Sequence, residues 1–345
     1  VRRVLKNATP ETRKLINEFL KYPENSAGSI MTAEYIGLKK KMTVEQSFAY
    51  IRANGVDKET IYTCYVLEKD RTLLGLVTVK DLLLAEDDET PIEDIMITNL
   101  ISVTTQADQE EVAHMFSKYN FLALPVVDGD NRMVGIVTFD DAMDVMEEEA
   151  TEDIEKMAAI IPSEKPYMKP GVVSIWLKRM PWLLLLMISA TFTGSIISGF
   201  EEALSRCAIL VAYIPMLMDT GGNAGGQASV TIIRGLSLNE IEFIDIAKVM
   251  WKEIRVAALC GLSLAAANFV KLLVFDKVSI AVALTVCLTL LLAVLIAKMV
   301  GCTLPMFAKK LGFDPAVMAS PFITTIVDAL SLLVYFAIAT RILSL

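Results

Sequence analysis

A single acid interrupts the last hydrophobic run of the chain, which extends from Pro315 to Ile342 with Asp328 near its middle. A run of about 20 apolar residues can cross a bilayer, and a carboxylate at that depth costs at least about 2.5 kcal/mol on insertion scales. Thr324 and Thr325 precede the acid, and Ser331 follows it, at spacings that share one helix face. This polar stripe predicts a helix that lines a cation path. The alternative is an acid that only bonds to a neighbouring helix.

A second group of carboxylates lies between residues 140 and 155, where nine of sixteen residues are Asp or Glu and none is Lys or Arg. Apolar residues recur at helical spacing from Ala142 to Ile161, which predicts one long amphipathic helix with acids on its other faces. Like charges four residues apart repel each other, and hard divalent cations prefer oxygen ligands. The stretch therefore predicts divalent-cation binding, with an ordinary solvated face as the alternative.

A third candidate segment is rich in glycine and lies within another hydrophobic run. It reads Gly221-Gly222-Asn223-Ala224-Gly225-Gly226-Gln227. Glycines let a second backbone approach closely and can expose carbonyl oxygens, but irregular backbone at membrane depth is tolerated only against protein or a water-filled cavity. The segment predicts part of the wall of a cation path. Close helix packing through small residues is the alternative, and the two interpretations are compatible.

The elements that must position these groups differ between the two halves of the chain. Residues 1–170 are charged and mixed, residues 180–345 are mostly apolar, and the whole 345-residue chain has a mean hydropathy of +0.50. Lys and Arg are concentrated on one side of the predicted spans, which places the N-terminal module in the cytoplasm and the C-terminus outside. The apolar half predicts five membrane spans, at residues 180–203, 207–233, 254–275, 278–301 and 315–342.

Charge and cysteine content exclude two other classes of protein. The net charge of −9 argues against a nucleic-acid partner, which would require a basic face. The five cysteines form no Cys-x-x-Cys pair, and the single histidine, His114, has no Cys or second His nearby in the sequence. Neither a disulfide framework nor a zinc site is predicted.

An internal repeat occupies the charged half. The stretch Leu73–Asp81 recurs sixty residues later as Met133–Asp141. Each copy predicts a helix, a strand, a glycine turn, a second strand and a second helix, in duplicated units that bury a shared face. Thr78 and Thr138 stand three residues before Asp81 and Asp141, as the N-caps of the following helices would.

This repeat, over about residues 31–145, resembles a tandem of CBS domains. The resemblance rests on the paired strand–Gly–strand–Thr-x-x-Asp pattern, and the first copy departs from it because Tyr65 stands where the second copy has Pro125. CBS tandems commonly bind adenine nucleotides, with the Thr-x-x-Asp carboxylate on a ribose. Simple helix capping in a scaffold tandem is the alternative interpretation of the same residues.

The whole chain resembles the MgtE-type magnesium transporters. The resemblance adds the glycine-rich segment, Ile233-Arg234-Gly235-Leu236, and the stretch from Asp314-Pro315-Ala316 to Asp328. It implies an α/β CBS-domain tandem followed by an all-α polytopic membrane domain of five transmembrane helices. The expected divisions are a remnant of an N-terminal helical domain with its linker (1–30), the first CBS domain (31–95), the second CBS domain (96–139), an acidic connecting helix with its linker (140–170) and the pore domain (171–345).

The resemblance also implies a function and a set of site residues. We expect a homodimer, joined through its membrane and CBS domains, that mediates Mg²⁺ influx across the bacterial inner membrane and is gated by cytoplasmic Mg²⁺ and modulated by ATP. The implied metal-binding residues are Asp328, Thr324, Asp108, Glu110, Asp141, Asp144, Glu149, Glu152 and Asp153. The implied pore-lining residues are Gly221, Gly222, Asn223, Gly225, Gln227 and Thr325. The implied nucleotide-binding residues are Tyr62, Lys80, Asp81 and Asp140.

Two other functions are compatible with parts of the sequence. Asp219-Thr220-Gly221 is the tripeptide of aspartic proteases, and Asp328 would be a second intramembrane acid. Asp328 lacks a comparable glycine context, so the sequence predicts no enzyme. A non-conducting receptor that senses ions or nucleotides through its CBS domains is the second alternative, and ion flux distinguishes it from a transporter.

Overall fold

The computed structural model describes residues 17, 19–163, 165–318 and 320–344 of the chain. Residues 1–16 and 18 of the predicted N-terminal remnant lie outside the described residues. The chain divides into two compact units between Ala150 and Thr151. Each unit is described by itself below.

The first unit contains two three-stranded sheets of the same topology. In each sheet the first strand pairs parallel with the second, and the second pairs antiparallel with the third. The strands of the first sheet are β1 (Ile36–Lys39), β2 (Thr63–Leu67) and β3 (Leu73–Thr78), and those of the second are β4 (Val103–Thr104), β5 (Ala123–Val127) and β6 (Met133–Thr138).

The sixty-residue repeat is preserved in the pairing of the strands. Tyr65 lies opposite Leu76 in the first sheet, and Pro125 lies opposite Ile136 in the second. The predicted duplicated unit is therefore confirmed. The parallel strands β1 and β4 were not predicted. The helices of this unit are α1 (Ala27–Ile30), α2 (Val44–Asn54), α3 (Val79–Leu83), α4 (Ile92–Ile95), α5 (Gln109–Tyr119) and α6 (Phe139–Met157), whose last turns belong to the second unit.

The second unit is helical. Short 3₁₀ helices precede three of its long helices, at Ala208–Tyr213, Phe243–Asp245 and Pro315–Met318. The α-helices are α7 (Val172–Gly199), α8 (Glu201–Arg206), α9 (Ile214–Ser237), α10 (Ile246–Val274), α11 (Ile280–Lys310) and α12 (Ser320–Ile342).

Four helical segments among the described residues are long and apolar enough to cross a membrane: Val172–Gly199, Phe243–Val274, Ile280–Lys310 and Pro315–Ile342. The 24-residue helix α9 is also long enough, but its glycines and amides make it less apolar. The predicted fold class, a CBS tandem followed by a helical region with four to five apolar helices, is confirmed.

Two local predictions were wrong. The acidic helix α6 ends at Met157 rather than continuing to Ile161, and Ile154 of its predicted apolar stripe is 63% exposed. The glycine-rich segment is not irregular, because α9 runs unbroken from Ile214 to Ser237. Its carbonyl groups are therefore used in helical hydrogen bonds. Close packing is confirmed for the glycines, and their place in the wall of a cation path stays a prediction.

Candidate functional site

The glycines of α9 form its contact with α12. A Cβ added to Gly222 would lie 3.0 Å from Thr324 Cγ2, and one added to Gly221 would lie 3.2 Å from Ser331 Oγ. One added to Gly225 would lie 2.8 Å from Ile323 Cγ2. Later residues of α9 contact earlier residues of α12, so the two helices pack antiparallel through this face. Gly221, Gly222 and Gly225 are buried, and they set how closely the helices approach.

Asp328 and the two threonines lie on α12 beside this contact. Asp328 is half-buried. The hydroxyls of Thr324 and Thr325 both donate to the carbonyl oxygen of Pro321, over 2.9 and 3.1 Å. Because each hydroxyl proton is directed to the backbone, the threonine oxygens keep lone pairs that can accept from the water of a hydrated cation.

The amides predicted to line the pore lie on a different face of α9 from the glycines. Asn223 and Gln227 are one turn apart and exposed, as are Asp219 and Thr231, which extend the same spacing in both directions. We call these four residues the polar stripe of α9. An exposed polar stripe on a membrane helix is costly against lipid, so it must face water or other protein.

One ion pair inside the membrane unit was not predicted. Lys298 of α11 lies 3.6 Å from Glu253 of α10, and their side chains are only 7% and 14% exposed. Glu253 Oε2 has no hydrogen-bond partner among the described residues. Lys298 is a charge within the predicted span 278–301, so its cost in a membrane could have identified it in the sequence. Glu253 stands between Lys252 and Arg255, just before the predicted span 254–275, and is not distinctive there.

Two groups of predicted metal-binding acids in the first unit are joined through Gln109, where α5 begins. Asp108 caps α5, and its Oδ1 accepts the backbone N–H of Glu110 over 2.9 Å. The adjacent Gln109 donates from its side-chain amide to Glu149 Oε1 of α6 over 2.8 Å. This contact brings Asp108, Glu110 and Glu149 to the same corner of the unit.

The other predicted acids are distributed along α6. Asp141 Oδ2 accepts the hydroxyl of Thr138 over 2.7 Å, Asp144 is exposed, and Glu152 and Asp153 lie in the last turns. Within the described ranges, no three His, Cys, Asp or Glu side chains converge into a group that could hold a metal ion. A metal bound at these acids would need further ligands from water or from another copy of the chain.

Lys156 occupies the space between two acids of the second unit. Its ammonium lies 2.5 Å from Glu152 Oε1 and 2.6 Å from Asp314 Oδ2. Asp314 also accepts the N–H of Ala316 through Oδ1, at the start of the 3₁₀ helix that precedes α12. Burial alone would lower the pKa of Lys156, but the two carboxylates outweigh it and raise that pKa above its ordinary value.

A cavity of 510 Å³ lies in the first unit, at the start of α3. Tyr62 and Lys80 of the predicted nucleotide site line it, whereas Asp81 and Asp140 are not among its lining residues. Asp81 instead caps α3, because its Oδ2 accepts the N–H of Thr78 over 3.0 Å while Thr78 Oγ1 accepts the N–H of Asp81 over 3.1 Å. These bonds confirm that Thr78 and Asp81 cap α3, and the role of Asp81 in nucleotide binding stays a prediction. The other lining residues are Thr63, Thr78, Val79, Leu83, Leu84 and Leu122.

The chain matches two family models. Residues 214–338 match MgtE, described as a divalent cation transporter, and residues 27–88 and 92–148 each match the CBS domain. The magnesium transporter MgtE of Thermus thermophilus is 39% identical over 97% of this chain and 74% of its own length. The chain belongs to the MgtE family. The MgtE of Bacillus subtilis is 36% identical over 95% of this family member and 72% of its own length.

Two solved structures are similar to part of this MgtE-family chain. One is the soluble part of a magnesium transporter, 38% identical, which covers 42% of this chain and 57% of the solved one at a TM-score of 0.41. The other is the cytosolic domain of the Mg²⁺ channel MgtE in complex with ATP, 40% identical, which covers 42% of this chain and 58% of the solved one at a TM-score of 0.41.

Proposed function

We propose that this MgtE-family chain is a homodimeric Mg²⁺ channel or transporter of the cell membrane, with its cation path along α9 and α12 past Asp328. The main support is the similarity over nearly the whole chain to relatives named magnesium transporters. Asp328 adds physical support because, within the described part of the chain, it makes no ion pair. A membrane carboxylate without its own counter-charge suits a mobile cation.

The chemistry around Asp328 suits a hydrated ion. Mg²⁺ dehydrates reluctantly and usually keeps several of its waters, so it is held best by oxygen acceptors one water away. Asp328, Thr324 and Thr325 provide such acceptors on one helix. The polar stripe of α9 supports the dimer, because a second copy and the water between the copies would remove that stripe from lipid.

We further propose that cytoplasmic Mg²⁺ gates the path through the acids of α5 and α6. At low Mg²⁺ the like charges repel one another, and at high Mg²⁺ the ions neutralise them and favour the closed state. The ion must bind the closed state more tightly, since only a difference in affinity shifts such an equilibrium. The contact between Gln109 and Glu149 supports this assignment, because it joins two groups of acids that are distant in sequence.

The cavity beside α3 is the proposed site for ATP. Tyr62 is 66% exposed there and can stack on a base, and Lys80 can pair with a phosphate. The volume of 510 Å³ lies within the range of about 300–1,000 Å³ that is typical of small-molecule sites. The excess of Lys and Arg on one side of the spans supports a cytoplasmic position for this unit and an external C-terminus.

Uptake of Mg²⁺ by liposomes that contain the purified protein tests the transport function. We expect uptake in the wild type, and a loss of about tenfold or more in Asp328→Asn, as the loss of about 1.4 kcal/mol or more of ion binding would cause. Glu201→Gln is the matched control, because Glu201 is an exposed acid on the separate helix α8. No uptake by the wild type would favour the non-conducting receptor and overturn the proposal.

The same liposomes test gating. Raising Mg²⁺ on the cytoplasmic side should reduce wild-type uptake of a tracer isotope of Mg²⁺. A variant with Asp141, Asp144, Glu149 and Asp153 replaced by their amides should lose most of this inhibition, since it lacks the charges that the ions neutralise. Unchanged inhibition in that variant would show that these acids are only a solvated face.

A further inference from the structure

Asp219 and Asp328 lie at nearly the same level of two adjacent helices. Gly222 packs on Thr324, so this contact fixes the register of α9 against α12. Asp219 is three residues from Gly222, and Asp328 is four residues from Thr324, both towards the same end of the antiparallel pair. At a rise of about 1.5 Å per residue, the two acids differ in level by only about 1.5 Å.

The two acids also lie on neighbouring faces of their helices. At 3.6 residues per turn, Asp219 lies between the direction of the buried Gly222 and that of the exposed Asn223, at the edge of the contact with α12. Asp328 lies one turn from Thr324, on a neighbouring part of the α12 surface. Within the described residues, neither acid forms an ion pair or accepts a hydrogen bond from another side chain.

The exposure of Asp219 distinguishes it from an acid that serves packing. Asp219 is exposed and lies at one end of the polar stripe of α9, one turn from Asn223 and two turns from Gln227. An ionised carboxylate that faced lipid at this position would cost several kcal/mol without compensation. The acid must therefore face the same watery path as the amides.

A buried hydroxyl without a partner marks the same contact between the helices. Ser331 is fully buried, and its Oγ has no hydrogen-bond partner among the described residues. It lies one turn beyond Asp328 and faces Gly221, which is two residues from Asp219. A buried hydroxyl usually finds a partner, so this one indicates a polar occupant between the helices, such as water held by a cation.

We propose that Asp219 is a second cation-binding residue of the path, so that each chain presents two carboxylates to a hydrated divalent ion. The proposal rests on the proposed function and extends its ion site from one acid to two. Two negative charges at one level favour a divalent over a monovalent cation, because the attraction grows with the charge of the ion. Asp219 thereby contributes to affinity and to the discrimination between Mg²⁺ and Na⁺ or K⁺.

The proximity of two acids would also be required of an aspartic protease, whose dyad shares one proton. The exposed amide stripe beside Asp219 provides an ion path instead, and the matching relatives are named transporters. The two ideas differ in their dependence on charge. A protease dyad requires an Asp at both positions, whereas an ion site requires only a carboxylate at position 219.

Liposome uptake measured over a range of Mg²⁺ concentrations tests the proposal. In Asp219→Asn we expect the half-saturating Mg²⁺ concentration to rise about tenfold, which corresponds to about 1.4 kcal/mol, and K⁺ to compete more strongly. Asp219→Glu retains the charge and should behave like the wild type. Glu201→Gln controls for a general loss of surface charge.

The possible results distinguish the ion site at Asp219 from the proposed transport function. A raised half-saturating concentration, or lost uptake, in Asp219→Asn together with near-normal Asp219→Glu would support the ion site. Wild-type behaviour of Asp219→Asn would overturn it, and so would equal impairment of both variants, because that would show a requirement for shape rather than charge. A wild type without Mg²⁺ uptake would overturn the proposed function itself and this inference with it.

Discussion

Glu253 and Asp328 are both carboxylates inside the membrane unit, but only Glu253 has a cation from the same chain. Lys298 lies 3.6 Å from Glu253, whereas no basic side chain of the described residues pairs with Asp328 or Asp219. A charge that is neutralised internally helps to hold two helices together. A charge that is not neutralised must attract an ion from outside, which is the property that a transport path requires.

Carboxylates with and without a cation from the same chain also occur outside the membrane helices. The sixteen residues before Lys156 contain nine acids and no Lys or Arg, whereas Lys156 itself bridges Glu152 and Asp314. The ammonium stands where a divalent ion could otherwise sit between two carboxylates. We therefore interpret the bridge from Lys156 to Asp314 as a fixed attachment of the last turn of α6 to the segment before α12. The acids nearer the start of α6 are the ones we expect to respond to ions.

The largest effect is expected when Asp219 is given a cation from the same chain, as Glu253 has. In Asn223→Lys, an ammonium would lie one turn from Asp219 on the same face, at the spacing that favours an Asp–Lys pair. We expect Mg²⁺ uptake to fall to the background of protein-free liposomes, because the path would carry its own positive charge. Asn223→Met has a similar length without the charge and should retain more uptake. Equal Mg²⁺ uptake by Asn223→Lys and Asn223→Met would contradict the idea that an internal positive charge blocks the path.

A second test removes the cation that Glu253 already has. Lys298→Met leaves Glu253 buried and unpaired, and we expect it to lower the free energy of unfolding by about 3–5 kcal/mol. In the double variant with Glu253→Met, most of that stability should return, because neither side chain is then a buried charge. Thermal unfolding in detergent measures both. A double variant no more stable than Lys298→Met would show that the pair does not act as a unit.

The smallest expected effect is at Lys156. Because its pair is partly exposed, we expect Lys156→Met to cost about 1 kcal/mol of stability, and Mg²⁺ to restore part of it by binding between Glu152 and Asp314. Thermal unfolding with and without Mg²⁺ tests this. The control is Lys248→Met, because the side chain of Lys248 is 85% exposed in its pair with Asp245. An identical response of Lys156→Met and Lys248→Met to Mg²⁺ would argue against the fixed attachment.

The pH dependence of this attachment follows from the sign of the pKa shift. The folded-state pKa of Lys156 is raised above its ordinary value of 10.5, so its contribution is complete below that value and is lost only as pH rises above it. Between pH 6 and about 9, the difference in stability between the wild type and Lys156→Met should therefore stay constant.

Much of the fold could be predicted because its signals are local. Hydrophobic runs and a repeat at a fixed distance gave the membrane helices and the duplicated sheets. The strands β1 and β4 were missed because segments of four and two residues are too short to show alternation. The glycine-rich segment was ambiguous, since only its packing against Thr324 and Ile323 decides that it is a regular helix.

The candidate site was less predictable, since its relations are tertiary. Asp328 was identifiable from its cost in a membrane, and Lys298 could have been identified in the same way, whereas Glu253 stands among charged residues just before a predicted span. The bridge from Lys156 to Asp314 joins residues 158 positions apart, and no local sequence pattern predicts it. The level that Asp219 shares with Asp328 depends on the register between α9 and α12, which the sequence alone does not set.

The preserved sixty-residue register of the two sheets has a consequence for stoichiometry. A shift of sixty positions carries Tyr62 to Leu122 and Lys80 to Asp140. The second copy thus has neither the aromatic ring nor the cation at the matching positions. Its Asp140 is negatively charged where a phosphate would require a positive charge. The two copies are therefore alike in backbone but unequal in chemistry, and the residues of the proposed phosphate contact occur in the first copy and not at the matching positions of the second.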